Sequence, residues 1–196
     1  MVSFSSVATF GLLALASAGA APQVSDSPTD TLYKATFNKT ISGSVSFSSK
    51  NGSTLIGVNI SNLPSTGGPF MYHIHEKPVP TNGSCAGTLG HFNPYNGTVG
   101  AATPALHEVG DLSGKHGTIN GTSIQTSYID QYVSLNPTDK AFINGLSVVV
   151  HFANSSRLAC ANITKDAVVV SSGAAQVAGS VAAGLPLAAG VVALLI

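Results

Sequence analysis

The stretch "ISGSVSFSSKNGSTLIGVNISNL", residues 41–63, places small or apolar side chains at every second position on both sides of "KNG". Period two is the signature of a half-buried strand, and Asn-Gly is turn chemistry. The same alternation runs through "TLYKATF" before it and "SIQTSYID" after it, and "SVVVHF" carries an unbroken apolar run of three valines. "NKT" and "PSTGG" supply further turns. No interior stretch keeps a 3.6-residue period over ten residues. The expected fold is therefore all-β, a Greek-key β-sandwich or flattened barrel of immunoglobulin-like architecture. Residues 77–122 break the pattern, being rich in Gly, Pro and Asn. Loops that long inside a compact domain usually carry function.

Both ends of the 196-residue chain read as processing signals. Residues 1–20 combine the apolar run "FGLLALA" with small residues in an A-x-A arrangement, the layout of a signal peptide, with cleavage expected after Ala18 or Ala20. Residues 167–196 give a linker, then small residues around Ser172 and Gly173, a short uncharged spacer and an apolar tail. That is the layout of a GPI-anchor signal, with Ser172 and Gly173 as attachment candidates. A real C-terminal membrane helix is the alternative, but the run from Val181 to Ile196 is shorter than the ~20 residues a span needs. Between these ends lie a loose entry segment, 21–30, and one domain, 31–166.

Composition narrows the class further. Eight Lys and Arg balance eight Asp and Glu, and no charge block suggests a nucleic-acid partner. Asn-x-Ser/Thr acceptors at Asn38, Asn51, Asn59, Asn82, Asn96, Asn120, Asn154 and Asn162 fit a secreted glycoprotein. The only cysteines are Cys85 and Cys160, and in a secreted chain a disulfide is the default reading.

Within "PFMYHIHEKPVP", residues 69–80, the spacing puts His73 and His75 on one face of a strand and Tyr72 and Ile74 on the other. By itself an H-x-H pair is also explained by one core histidine and one at a loop mouth. His91 lies in the long loop and His151 closes the apolar strand, so strand, loop and strand each offer imidazoles. A β scaffold gathers metal ligands in this way, and four histidines with few thiols favour copper, then zinc.

Four segments, "HIHEKPV", "GSCAGTLGHFNPY", "VGDLSGKHG" and "VVVHFANSSRLACANI", resemble in order the copper-only superoxide dismutases of fungal cell surfaces, relatives of the copper/zinc superoxide dismutases. The resemblance covers about residues 30–165. It implies that His73, His75, His91 and His151 hold one copper and that Cys85 and Cys160 form the family disulfide. It also implies that Arg157 guides the superoxide anion and that His91 carries a proton. Copper/zinc members carry a second histidine where this chain has Val99, and an H-V-G-D zinc motif where it has Glu108, Val109, Gly110 and Asp111. Zinc is therefore not expected, although a site rebuilt from His91, His107 or Glu108, and Asp111 stays open. Glu108 is expected to hold His91 in place of zinc, with Asp111 also behind the ligands. Only "FANSS" separates His151 from Arg157, which predicts a copper site open to solvent.

The remaining residues have plainer readings. Lys115 and His116 in "GKHG" read as a solvated turn, Asp111 as the cap of "DLSG", and Tyr72 as a core residue. The implied function is an extracellular superoxide dismutase, monomeric and GPI-anchored to the plasma membrane or cell wall. The alternative is a non-catalytic copper-binding or structural cell-wall β-sandwich protein.

Overall fold

The computed structural model describes residues 19–167. Residues 1–18 of the expected signal peptide and residues 168–196 of the expected linker and anchor signal, with Ser172 and Gly173, lie outside the described residues. Among the described residues, seven antiparallel strands form one curled sheet. They are β1 (Leu32–Asn38), β2 (Ser42–Lys50), β3 (Ser53–Ser61), β4 (Met71–His75), β5 (Ile124–Asp130), β6 (Ser147–His151) and β7 (Arg157–Asp166). The order across the sheet is β4-β6-β7-β1-β2-β3-β5. The fold is thus all-β, as the alternation implies.

The quoted stretch forms β2 and β3, paired from Ser42 opposite Ser61 to Lys50 opposite Ser53 around Asn51 and Gly52. Every second residue enters the core: Val45 and Phe47 from β2, then Ile56, Val58 and Ile60 from β3, all at most 1% exposed. They meet Tyr33, Ala35 and Phe37 of β1, Tyr72 and Ile74 of β4, Val148 and Val150 of β6, and Ile163 of β7. Burying one side chain of the size of Phe47 or Ile56 contributes about 1.5 to 3 kcal/mol. This one-sided core leaves the opposite face of β4 free for other chemistry.

Two expectations need correction. The segment 21–30 is a packed strap rather than a loose entry: Ala21, Val24 and Ser27 are buried. Its backbone N–H groups are spent on the barrel, Ala21 to Ala105 O at 2.7 Å, Val24 to Gln131 O at 2.7 Å and Ser27 to Gly52 O at 2.8 Å. Lys115 and His116 are not a solvated turn either. They end a five-residue helix, α1 (Leu112–His116), and the Lys115 side chain is fully buried against Asp130 at 2.7 Å. A charge with a buried counter-charge and a carbonyl to bond has no need of water.

The long loop is held to the edge of β4 by a closed set of backbone bonds. Phe92 N donates to Ile74 O, Ile74 N to Gly110 O, and Gly110 N to Phe92 O, at 2.8, 2.9 and 2.8 Å. Only glycine fits at 110, because a Cβ there would stand 2.3 Å from Ile74 O. Two distant parts of the loop are thereby brought beside the strand that carries His73 and His75.

Candidate metal centre

His73 and His75 leave β4 on the face away from Tyr72 and Ile74, and both are buried, at 5% and 1% exposure. His151 ends the neighbouring strand, where Met71 lies opposite it. A register shift follows between Val150 and His151: Val150 faces Ala159, but His151 faces Arg157. The extra residue on β7 is a bulge, and it turns Arg157 toward the histidines. His91 arrives from the loop through a bridge to His75. One ligand atom from each of His73, His75, His91 and His151 lies within 4.8 Å of every other.

Hydrogen bonds assign the free nitrogen of each ring. His75 Nδ1 lies 2.9 Å from Leu89 O and His151 Nδ1 3.0 Å from Ser155 O. A carbonyl only accepts, so both Nδ1 atoms carry the proton and both Nε2 atoms present lone pairs. These two Nε2 atoms face each other at 3.1 Å, a repulsive pairing unless a cation stands beside them. His91 Nδ1 donates to Glu108 Oε2 at 2.5 Å, which leaves its Nε2 free. His73 is reversed: Nε2 lies 3.0 Å from Ser113 Oγ with Asp111 Oδ1 behind it at 3.5 Å. Its buried Nδ1 has no hydrogen-bond partner among the described residues.

Electrostatics agree with this assignment. Burial, then the neighbouring His91, His151 and His75, push the His73 pKa down to about 2. Burial also lowers His75 to about 3, against the opposing pull of Leu89 O and with His91, His151 and Arg157 adding to the fall. His151 is lowered chiefly by burial as well. Neutral imidazoles with lone pairs turned inward are ready to bind a metal, and an all-nitrogen set suits copper. The group of four is the metal-competent cluster found among the described residues.

The site lines a cavity of about 670 Å³ that also includes Glu108, Asp111 and Arg157. Arg157 donates from Nη1 to Cys85 O at 2.7 Å and from Nη2 to Leu89 O. Cys85 and Cys160 are joined, with Cα atoms 5.6 Å apart. Asp111 accepts from Gly114 N at 2.8 Å as the cap of α1 and from His107 Nδ1 at 3.0 Å. Asn93 Nδ2 steadies the other Glu108 oxygen at 3.3 Å. Val99 is 66% exposed on the rim, with no ligand atom to offer. Asn38, Asn51, Asn59, Asn82, Asn96, Asn120, Asn154 and Asn162 are all exposed. Sequence reasoning missed Ser113 and Leu89. Leu89 takes a left-handed φ of 60°, and its contribution is a backbone carbonyl, which no side-chain pattern reveals.

A cluster of four inward-facing imidazoles on a curled antiparallel sheet, closed by a disulfide and flanked by an arginine, defines a copper-protein architecture. Residues 41–192 match the family described as copper/zinc superoxide dismutase (SODC), and the chain belongs to that family. It is 52% identical over 160 residues to the cell surface Cu-only superoxide dismutase 5 of Candida albicans, covering 79% of this chain and 70% of the relative. Identity to the cell surface superoxide dismutase [Cu-Zn] 4 of the same organism is 48% over 158 residues, covering 78% of this chain and 68% of the relative. The solved structure titled Candida albicans Superoxide Dismutase 5 (SOD5), Cu(II) matches with a TM-score of 0.67 at 50% identity, covering 70% of this chain and 92% of that one.

Proposed function

We propose that this chain is an extracellular superoxide dismutase that works with one copper, held by His73, His75, His91 and His151, and without zinc. The observation that carries this reading is the His75–His151 contact, two unprotonated nitrogens at 3.1 Å, with the orphaned Nδ1 of His73 beside them. Copper would supply the electron chemistry, accepting an electron from one superoxide and giving one to a second, so that two superoxides and two protons yield dioxygen and hydrogen peroxide. The chain supplies the rest. Arg157 is a permanent cation held by two carbonyls on the cavity wall, suited to draw in a small anion. Lys115, neutralised by Asp130, adds little to that field. His91, with Nδ1 committed to Glu108, can hold and pass a proton at Nε2.

The enzyme domain spans residues 31–166 with the strap 21–30 packed on it, the leader is removed, and residues 167–196 direct GPI anchoring at Ser172 or Gly173. It acts as a monomer at the cell surface, glycosylated at exposed Asn-x-Ser/Thr acceptors. Metal analysis and pulse radiolysis of the copper-loaded mature protein test the enzyme. One copper per chain with catalytic loss of superoxide is expected; copper without turnover would mark a copper-holding protein, and failure to bind copper would end the four-histidine assignment. Release from cells by a phosphatidylinositol-specific phospholipase tests the anchor. A mature protein still ending at Ile196 would refute it.

A further inference from the structure

Lys115 and Asp130 form an ion pair in which both side chains are 0% exposed. Buried pairs of this kind are poor stabilisers, because removing two charges from water costs about what their attraction returns. Their burial therefore points to a geometric role rather than a stabilising one. Asp130, at the end of β5, is fixed to the barrel: its Oδ1 accepts from the N–H groups of Tyr132 and Val133 at 2.8 and 2.9 Å. Its Oδ2 accepts from His116 at 2.8 Å, whose ring stacks on Tyr128. Lys115 Nζ spends a second bond on Val109 O at 2.8 Å.

One ammonium thus closes the segment 109–115 on itself and ties it to β5. Helix α1 has five residues, far too few to be stable without outside contacts. Yet, among the described residues, this segment and the residue before it carry every side chain that touches the outer nitrogens of His73 and His91. Glu108 holds His91, while Ser113 and Asp111 stand against His73. His75 and His151 are held elsewhere, by the carbonyls of Leu89 and Ser155.

We propose that Lys115 and Asp130 are positioning residues: their buried pair sets the direction in which Glu108, Asp111 and Ser113 present themselves, and through them the aim of His73 and His91 at the metal. The inference rests on the four-histidine copper reading. It extends that reading to a pair of charges that touches none of the ligands.

The test is Lys115→Met combined with Asp130→Asn, which leaves no unpaired charge and keeps an oxygen for the N–H groups of Tyr132 and Val133. Copper affinity is measured by chelator competition, and ligand geometry by the electron paramagnetic resonance spectrum of the Cu(II) protein. Affinity should fall about tenfold, the lower end for losing support behind a ligand, with an altered spectrum and an unchanged β-sheet circular dichroism. In a background already carrying Glu108→Gln, Asp111→Asn and Ser113→Ala, the same pair should cost less than about twofold, because the two charges and the hydroxyl it positions are gone. Equal losses in both backgrounds, or an unchanged spectrum and affinity, overturn the inference in favour of a purely structural pair. If the double variant does not fold, Lys115→Arg keeps the charge but replaces the ammonium on Val109 O with a planar fork, and the same two-background comparison decides. A wild-type protein that binds no copper would defeat the copper reading itself, whereas copper in the wild type with an unaffected variant defeats only the positioning role.

Discussion

Replacing Cys85 and Cys160 together by alanine should reduce both stability and metal affinity. The bond closes a loop of sequence separation 75. The chain-entropy relation then gives about 15 cal/mol/K removed from the unfolded state, or about 4.5 kcal/mol at 25 °C. With a urea slope of about 2 kcal/mol/M, the unfolding midpoint should fall by about 2 M. The loss does not end there, because the same bond ties the 3-10 turn at Cys85–Thr88 to β7. Cys85 O and Leu89 O are the two acceptors of Arg157, and Leu89 O also holds His75. Freeing this turn should therefore weaken copper binding about tenfold, as for a loosened partner behind a ligand, and lower the rate with superoxide. Urea titration of the metal-free protein and chelator competition read the two effects separately. A midpoint shift below about 0.5 M would refute the loop-closure account, and a full shift with unchanged copper affinity would refute the link from the disulfide to His75.

Three further outcomes are expected. Glu108→Gln should keep copper on the other three histidines while turnover falls about 10- to 100-fold; pulse radiolysis showing unchanged turnover would mean that His91 is steadied by something else. His73→Ala should weaken copper binding by more than the about 100-fold upper end for a lost outer partner, while circular dichroism reports the same sheet, since the ring faces the cavity and not the core. Burial raises the Asp130 carboxyl pKa, but His116 and Lys115 outweigh it and hold the group well below the ordinary range. A depressed carboxylate contributes stability above its unfolded pKa of about 3.9 and loses it as pH falls through the folded value. Urea midpoints of Asp130→Asn should accordingly be lower at pH 7 and less steep in pH below about 4 than those of the wild type; parallel pH curves would refute this.

The sheet was legible because its strands alternate. Val45, Phe47, Ile56, Val58 and Ile60 declare period two and a single buried face, and the H-x-H spacing declares that His73 and His75 share the other. β7 was less readable as a strand: "RLACANITKD" runs from half-buried to exposed, so its alternation is blurred by the bulge and by the disulfide. The strap went unread for a different reason. Its hold on the barrel runs through backbone N–H groups, which every sequence possesses alike. Lys115 misled by its neighbours, since "GKHG" has the composition of a solvated turn, and only the partner fifteen residues later, Asp130, gives the charge a buried place.

The four imidazoles are supported in two independent halves, and this division makes the site separable by experiment. His75 and His151 rest chiefly on backbone carbonyls, those of Leu89 and Ser155, with the Thr88 hydroxyl 3.1 Å from His75 Nδ1 as well, and these lie on loops secured by the disulfide and by the short link to Arg157. His73 and His91 rest on side chains, those of Ser113 and Glu108, which lie on a segment secured by the Lys115–Asp130 pair. A carbonyl keeps its acceptor whatever residue bears it, so the first half is sensitive to loop closure and, apart from Thr88, insensitive to most substitutions. The second half is sensitive to charge. Cleaving the disulfide and neutralising the ion pair should then perturb the copper spectrum in different ways, and because the two supports share no residue their effects on copper affinity should add. Strong non-additivity between them would show that the halves are coupled through the cavity after all.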